Sequence, residues 1–392
     1  MNKVYIVSAV RTPQGSFGGV FSGFSATELG SFAIKGAIEK AGVSADKIQE
    51  VFMGNVCQAN LGQAPARQAA LGAGVGMNVP ATTVNKVCAS GMKSIMFASQ
   101  SIMLGMTDLA VAGGMESMSN IPFYLPNMRW GKKYGAGSVV DGLEKDGLQD
   151  AYNHKAMGLS ADLTATKFDI SREEQDEYAI RSYKLAAETT DKGMFADEIV
   201  PVSVPQRKKD PIVVSKDEEY SKVMFEKIPT LRPAFNKDGT ATAANSSTLN
   251  DGASAIILAS EKAIKEYGLT PIAEVVSFAD AAQEPEWFTT APTLAAPLAL
   301  ERAGLKNDDI AFWEVNEAFS VVPLAFNKEL GIDGEKVNVF GGGVSLGHPL
   351  GSSGSRIVST LVNVLGQKSG EFGCATLCNG GGGASAMVIK KM

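Results

Sequence analysis

Short apolar runs alternate along the chain with stretches whose apolar positions recur at helical spacing. Val4 to Val10 is a first strand. Ser25-Ala26-Thr27-Glu28 is a capping box that opens a helix running to Ala41 and stopping at Gly42. Val51 to Val56 reads as a strand, Gln63 to Leu71 as a helix and Ala81 to Val84 as a strand. Met92, Ile95, Met96, Ala98 and Ile102 then mark one face of a helix, and Asp108 to Gly114 a further strand. This rhythm predicts crossover connections and a largely parallel sheet.

The pattern is repeated. Residues 37–55, AIEKAGVSADKIQEVFMGN, align without a gap on residues 299–317, ALERAGLKNDDIAFWEVNE. Cys88-Ala89-Ser90-Gly91 before one helix parallels His348-Pro349-Leu350-Gly351 before another. Leu109 to Gly114 parallels Ala375 to Gly380, and Gly252 to Leu258 parallels Gly383 to Ile389. These matches keep their order, so the α/β chain reads as a duplicated βαβαβαββ unit. The first half is residues 1–117 plus 248–268, the second 269–392. Between them, residues 118–247 form an inserted loop domain, charge-dense and turn-rich, with a second capping box at Ser171-Arg172-Glu173-Glu174 opening a helix to Gly193.

Composition removes several classes. With 45% hydrophobic and 20% charged residues the chain is an ordinary globular protein, and a net charge of -6 without a basic arm argues against nucleic acid. Four cysteines without CxxC spacing and only 2 histidines argue against structural zinc. No apolar run has the length of a membrane span, and the chain opens on a strand rather than a charged and apolar leader, so a reducing, cytoplasmic setting is expected.

The chemistry lies at predicted strand ends, where α/β sheets bind ligands. Cys88 stands between the strand Ala81–Val84 and a helix start. Helix N–H groups and the helix dipole there favour an anion, which predicts a lowered thiol pKa. The segment alone also fits an inert core thiol. A pseudo-dyad between the halves would bring the helix starts of Cys88 and His348 face to face beneath a lid from the insertion. His348, flanked by glycine and proline, is the candidate base; His154, in a polar stretch of the insertion, reads as a surface residue. Cys378 precedes four glycines that make a bare turn or present N–H groups to an anion. Asn316 follows the strand Phe312–Val315 and is placed to hold a water or an oxyanion. Cys57 and Cys374 read as packed strand residues.

Together VCASGMKS, NEAF, GGGVSLGHPLGSSG and CNGGGG resemble the motifs of the thiolases, across essentially the whole chain. EVNEAFSVV and FADAAQEP are most similar to the acetoacetyl-CoA branch of that family. The resemblance implies a five-layered αβαβα fold and Claisen condensation of two acetyl-CoA, or the reverse thiolysis, through an acetyl-Cys88. His348 would accept the Cys88 proton and Cys378 would deprotonate the second acetyl group. His348 with a water on Asn316 would form one oxyanion hole, and the N–H groups of Cys88 and Gly380 the other. It implies a coenzyme A tunnel from Ser247, Leu148, Met157, Phe235, Ala243, Phe288, Ala318 and Phe319. No cofactor is required beyond coenzyme A as substrate and product, though some relatives hold potassium, at positions matching Tyr183 and the carbonyls of Ala243, Ala244, Ser246 and Val344. It further implies a homotetramer with Pro122 to Gly142 at the contact, acyl-CoA partners, and no membrane or nucleic acid. Ala156 stands where many short-chain relatives carry histidine, which predicts a roomier or less polar pocket, and Phe288 replaces a methionine found in some.

The rival readings are a broader 3-ketoacyl-CoA thiolase and a non-catalytic acyl-CoA-binding scaffold. A decarboxylating condensing enzyme lacks a cysteine at the position of Cys378. A dinucleotide-binding oxidoreductase would need a GxGxxG between strand and helix, which the glycine clusters do not supply.

Overall fold

The computed structural model describes residues 2–392 and carries the repeat through every element. In the first half the strand Tyr5–Arg11 is followed by helix Ala26–Ala41, strand Glu50–Gly54, helix Pro65–Gly72 and strand Ala81–Val84. Helix Ser90–Met103, strand Leu109–Ser117 and, after the insertion, strand Asn250–Ala259 complete it. The second half runs Ala273–Ala282, Pro292–Ala303, Ile310–Val315, Val321–Leu330, Leu350–Lys368, Phe372–Asn379 and Gly383–Lys391. Its third strand is reduced to one parallel bridge, Val337 to Trp313.

Both capping boxes form. Ser25 accepts the Glu28 N–H while the Glu28 carboxylate accepts the Ser25 N–H, and the helix stops at Gly42 with φ +66°. Ser171 and Glu174 repeat the arrangement at helix Arg172–Asp191. The strand read as Val51 to Val56 ends at Gly54 instead. The reason is local: the N–H groups of Val56 and Cys57 turn away from the sheet to the Glu116 carboxylate. Cys57 is therefore a buried loop residue, while Cys374 does lie in a strand.

The nine strands of the two halves, with the two-residue strand Gly15–Ser16 paired to Asn250–Ala259, form one 10-stranded sheet that is mixed rather than largely parallel. Glu50–Gly54 runs parallel to both Ala81–Val84 and Leu109–Ser117, and Ile310–Val315 runs parallel to Phe372–Asn379. The remaining pairings are antiparallel, because the last strand of each half folds back directly on its predecessor. Tyr5 and Ile6 pair with Glu274 and Ala273, which joins the halves. Each half carries a register shift in its first strand, between Ile6 and Ser8 and between Val275 and Ser277. The pairings also correct one sequence match. Gly252 faces Glu116, and its equivalent Gly383 faces Asn379. Leu109–Glu116 thus corresponds to Phe372–Asn379, so the counterpart of Cys378 is Met115.

Three apolar clusters fill the spaces between layers. Leu29, Ala33 and Ile34 pack on Val51, Val111 and Ile257 on one outer side, and Ala295, Ala299 and Leu300 on Trp313, Val315 and Val388 on the other. Between them Met92, Ile95 and Met96 meet Ile357, Val358 and Leu361. Each buried Leu, Ile, Val or Met among them gains about 1.5–3 kcal/mol by leaving water. The two central helices cross so tightly that a Cβ on Gly354 would lie 2.4 Å from Met92 N, and they sit so close on the strands that a Cβ on Gly114 would lie 2.0 Å from Gly351 O and one on Gly54 2.6 Å from Gly91 N. Those glycines are required by close approach, and they bring both helix starts to one place.

Candidate active site

The Cys88 turn is held by its own side chains. Asn85 Oδ1 accepts the Val87 N–H at 3.0 Å, Ser90 Oγ accepts the Lys86 N–H at 2.8 Å, and the same hydroxyl donates to Val87 O at 2.6 Å. This forces Val87 to φ +49°, a strained conformation for a β-branched residue. The strain turns Cys88 out of the strand line and toward the cavity. A brace to the second half fixes the turn: Lys86 Nζ donates to Asp280 Oδ1 at 2.8 Å, to Ser385 Oγ at 2.8 Å and to Ala384 O at 3.0 Å. Burial pulls the Asp280 carboxyl upward, but Lys86, Lys93 and Ser385 outweigh it and hold it at about 2.

His348 is presented by an equally constrained loop. Gly347 has φ +109°, and a Cβ on it would meet the Asn250 amide at 2.4 Å. Asn250 Oδ1 accepts the His348 N–H at 2.9 Å. His348 Nδ1 lies 2.5 Å from Ser353 Oγ, whose proton goes to Pro349 O at 2.9 Å. The bond to Ser353 is therefore donated by Nδ1–H, which leaves Nε2 as the acceptor nitrogen. Asn316 Nδ2 is 3.5 Å from that nitrogen, and Asn316 Oδ1 is buried without a partner among the described residues. Beneath the loop, Glu317 accepts from Tyr178, Ser182, Asn338 and the Val344 N–H at 2.8–3.0 Å, so both its buried oxygens are satisfied.

The electrostatics overturn one expectation. Burial pushes the Cys88 thiol up to about 12, although the Gly380 and Cys88 N–H groups pull it down. The rise from 9.0 to about 12 corresponds to about 4 kcal/mol, more than the ~0.3–1 kcal/mol that a helix terminus typically supplies. Desolvation wins, and the resting thiol is neutral. Burial, then the charge of Arg356, lowers His348 to about 3, so the imidazole is neutral too. Cys378 is raised by burial and further by Cys88.

Cys88, His348 and Gly380 line one cavity of about 590 Å³ with Ser247, Leu148, Met157, Phe288, Ala318 and Phe319. Phe235 and Ala243 do not line it. They border a neighbouring space of about 420 Å³ that shares Ser247. Phe235 closes the partition by meeting Phe319 edge to face at 6.0 Å. Cys378 and Asn316 are fully buried at the edge of the Cys88 cavity, Asn316 against His348 and Cys378 within charge range of Cys88. His154 is exposed, and Ala156 borders a different surface pocket, so Ala156 does not enlarge the acyl end. The sequence reading passed over Val87, Asn250, Ser353, Glu116 and, apart from Leu148, the strip Lys145–Tyr152 that roofs the cavity. A carboxylate closing the apolar run Leu109–Met115 was a readable signal for Glu116; Ser353 and Asn250 act through folded geometry alone.

At the positions matched to potassium, Ser246 Oγ is buried without a partner among the described residues, and Tyr183 packs on Val344. Ser320 N–H bonds to Asn245 O and Ser247 N–H to Ala318 O, so this ladder passes over the Ser246 carbonyl between them. The neutral oxygens fit a monovalent cation.

Family models for the thiolase N-terminal and C-terminal domains match residues 4–262 and 269–391. The chain is 56% identical over 392 residues to the mitochondrial acetyl-CoA acetyltransferase of Danio rerio, covering 100% of this chain and 92% of that one. It is 54% identical over 391 residues to the acetyl-CoA acetyltransferase of Schizosaccharomyces pombe, covering 100% and 99%. The crystal structure of Acat5 thiolase from Ascaris suum in complex with coenzyme A superposes with a TM-score of 0.95 at 48% identity, each chain covered over 100% of its length. The paired strand-end sites, the duplicated fold and these matches agree: the chain belongs to the thiolase family.

Proposed function

We propose that the enzyme joins two acetyl-CoA molecules into acetoacetyl-CoA and coenzyme A, and cleaves acetoacetyl-CoA in reverse. The reading is carried by one observation: a cysteine presented by a strained turn and a histidine with Nε2 as its acceptor nitrogen face one apolar cavity, with a second thiol in charge range of the first. Cys88 sulfur attacks the thioester carbonyl as its proton passes to His348 Nε2. The N–H groups of Cys88 and Gly380 hold the developing oxyanion. The departing coenzyme A sulfur takes a proton from Cys378, leaving acetyl-Cys88, a Cys378 thiolate and an imidazolium. That thiolate removes a methyl proton from the second acetyl-CoA. The enolate oxygen is held by the imidazolium Nε2–H and a water on Asn316. Its carbon attacks acetyl-Cys88, the carbon–sulfur bond breaks, and the freed Cys88 sulfur recovers its proton from His348. The Cys88 proton returns from His348, while the Cys378 proton leaves on coenzyme A and is replaced by the methyl proton, so both thiols and the imidazole end as they began.

Leu148, Met157 and Phe288 line the cavity that Cys88 opens into, and bulky side chains there favour short acyl groups over the broader 3-ketoacyl-CoA range. Ser247, Ala318 and Phe319 take the uncharged pantetheine arm. A potassium ion on Ala243, Ala244, Ser246 and Val344 carbonyls with Tyr183 would stiffen the loop carrying Ser247. Trp130 and Tyr134, 88% and 96% exposed in the segment Pro122 to Gly142, support a homotetramer built through that segment. Incubation with acetyl-CoA followed by peptide mass spectrometry is expected to find the acetyl group on Cys88. An unmodified Cys88 peptide, or faster turnover of six-carbon than four-carbon 3-ketoacyl-CoA, overturns the reading.

A further inference from the structure

We infer that Glu116 is a positioning residue that locks the nucleophile's loop to the base's helix across the join between the halves. It ends the apolar strand Leu109–Ser117, fully buried. Oε1 accepts Asn55 Nδ2 at 2.9 Å and the Cys57 N–H at 3.1 Å. Oε2 accepts the Val56 N–H at 3.0 Å and the Gly351 N–H at 2.8 Å. Three of these donors belong to the first half, and one to the second.

Each side of the lock leads to a reacting group. Val56 O accepts Asn85 Nδ2 at 3.2 Å, and Asn85 is the residue whose Oδ1 shapes the turn into Cys88. Gly351 is the second residue of helix Leu350–Lys368, which begins directly after His348-Pro349. A carboxylate accepting an N–H there caps that helix with the charge its N-terminus favours. The fit leaves no slack: a Cβ on Gly351 would lie 2.5 Å from Met115 O and 2.9 Å from Glu116 Oε2.

The repeat supplies an internal control. The counterpart of Glu116 is Asn379, whose amide donates only to Gly380 O within its own hairpin, at 2.9 Å. A carboxylate at this register is thus a property of one half and not of the scaffold. The titratable groups facing it are Cys57, Cys88 and Asp251, all negative when ionised; burial pushes Glu116 itself up to about 7, and its ionised form adds to the desolvation that holds both thiols protonated.

This inference rests on the acyl-transfer reading. The test compares full-length wild type with Glu116→Gln and Glu116→Asp in thiolysis of acetoacetyl-CoA. A glutamine keeps one oxygen, so either Asn55 and Cys57 or Val56 and Gly351 lose their acceptor. The expected result for Glu116→Gln is a fall in kcat of about 10- to 100-fold, as misplacement of reacting groups produces. KM stays within about two-fold, because Ser247, Ala318 and Phe319 are untouched. The pH profile of kcat moves, because a charge beside Cys88 is gone, and Glu116→Asp restores part of the rate. A lowered Tm with wild-type kcat and pH profile would mean a merely structural role and overturns the inference. Should Glu116→Gln fail to fold, Glu116→Asp decides alone: reduced kcat at constant KM supports the lock, and unchanged kcat overturns it. Failure of the wild type to acetylate Cys88 overturns the acyl-transfer reading and the lock with it; acetylating wild type beside a glutamine variant of unchanged kcat overturns only the lock.

Discussion

The resting pair of Cys88 and His348 is expected to be neutral, and alkylation kinetics can test this directly. With the thiol at about 12, the gap to pH 7 is about five units, so about one molecule in 10⁵ carries a thiolate. Iodoacetamide reacts with the thiolate only. The rate of Cys88 alkylation should therefore rise about ten-fold per pH unit from about pH 6 to about pH 10, without a plateau. A cysteine activated by a helix terminus or by an ion pair with imidazolium would behave differently. Its rate would level off with a midpoint near or below neutrality.

The histidine variant sharpens the test. If the proton leaves Cys88 only as the carbon–sulfur bond forms, His348→Ala should slow acetylation by about 10²- to 10⁴-fold, the usual contribution of a general base. It should leave alkylation at about pH 10 nearly unchanged, because hydroxide forms the thiolate there. A plateau in the wild-type profile below about pH 8 would refute the reasoning, since desolvation would then not be the dominant influence on the sulfur.

Three further outcomes follow from the interior. Arg356 and Glu314 are each almost wholly buried, with Nη1 3.6 Å from Oε2. Arg356→Met should destabilise by about 3–5 kcal/mol in urea titration by stranding the carboxylate, while Arg356→Met with Glu314→Leu should fold with near wild-type stability. Burial raises Cys57, Cys88, Cys374 and Cys378 above 9.0, so above about pH 9 the unfolded chain sheds protons that the folded chain keeps. Stability is complete below that pH and should fall by up to about 1.4 kcal/mol per thiol per pH unit above it; a urea midpoint unchanged from about pH 8 to about pH 10 would contradict this. Gly114→Ala should abolish soluble expression, since its Cβ would meet backbone at 2.0 Å, whereas Gly23→Ala, with nothing within 4 Å, should be silent.

The duplication, both capping boxes and the strand ends bearing Cys88, Asn316, His348 and Cys378 were readable because each depends on local spacing. Parallel against antiparallel pairing was not: the hydrophobic pattern of Gly383–Lys391 is the same whichever way its neighbour runs, and only the short turn after Asn379 decides it. The state of Cys88 was misread for a related reason. A helix start is visible in sequence, while the desolvation that outweighs it comes from burial among Cys57, Leu143 and Leu350, residues apart from it along the chain, with the Glu116 charge adding to it. Val87 shows the same limit. Nothing about a valine before a cysteine announces a positive φ, which arises from hydrogen bonds by Asn85 and Ser90 on either side.

The corrected register explains how one site arises from two copies. Cys88 and His348 occupy equivalent positions and meet across the pseudo-dyad, so each half contributes one of the pair. The other reacting groups lie off that axis and are unpaired: Cys378 answers to Met115, and Asn316 to Gly54. On the second half's side of the cavity the strand ends therefore carry proton transfer and an amide. On the first half's side the same positions carry a thioether and a bare glycine, and the adjacent carboxylate of Glu116 is spent on holding backbone. A symmetric pair of second thiols would place two acids around one acyl group with no separate element to fix the loops. Divergence at these positions leaves one half to supply the deprotonating sulfur and the other to keep Cys88 and His348 aligned while it acts.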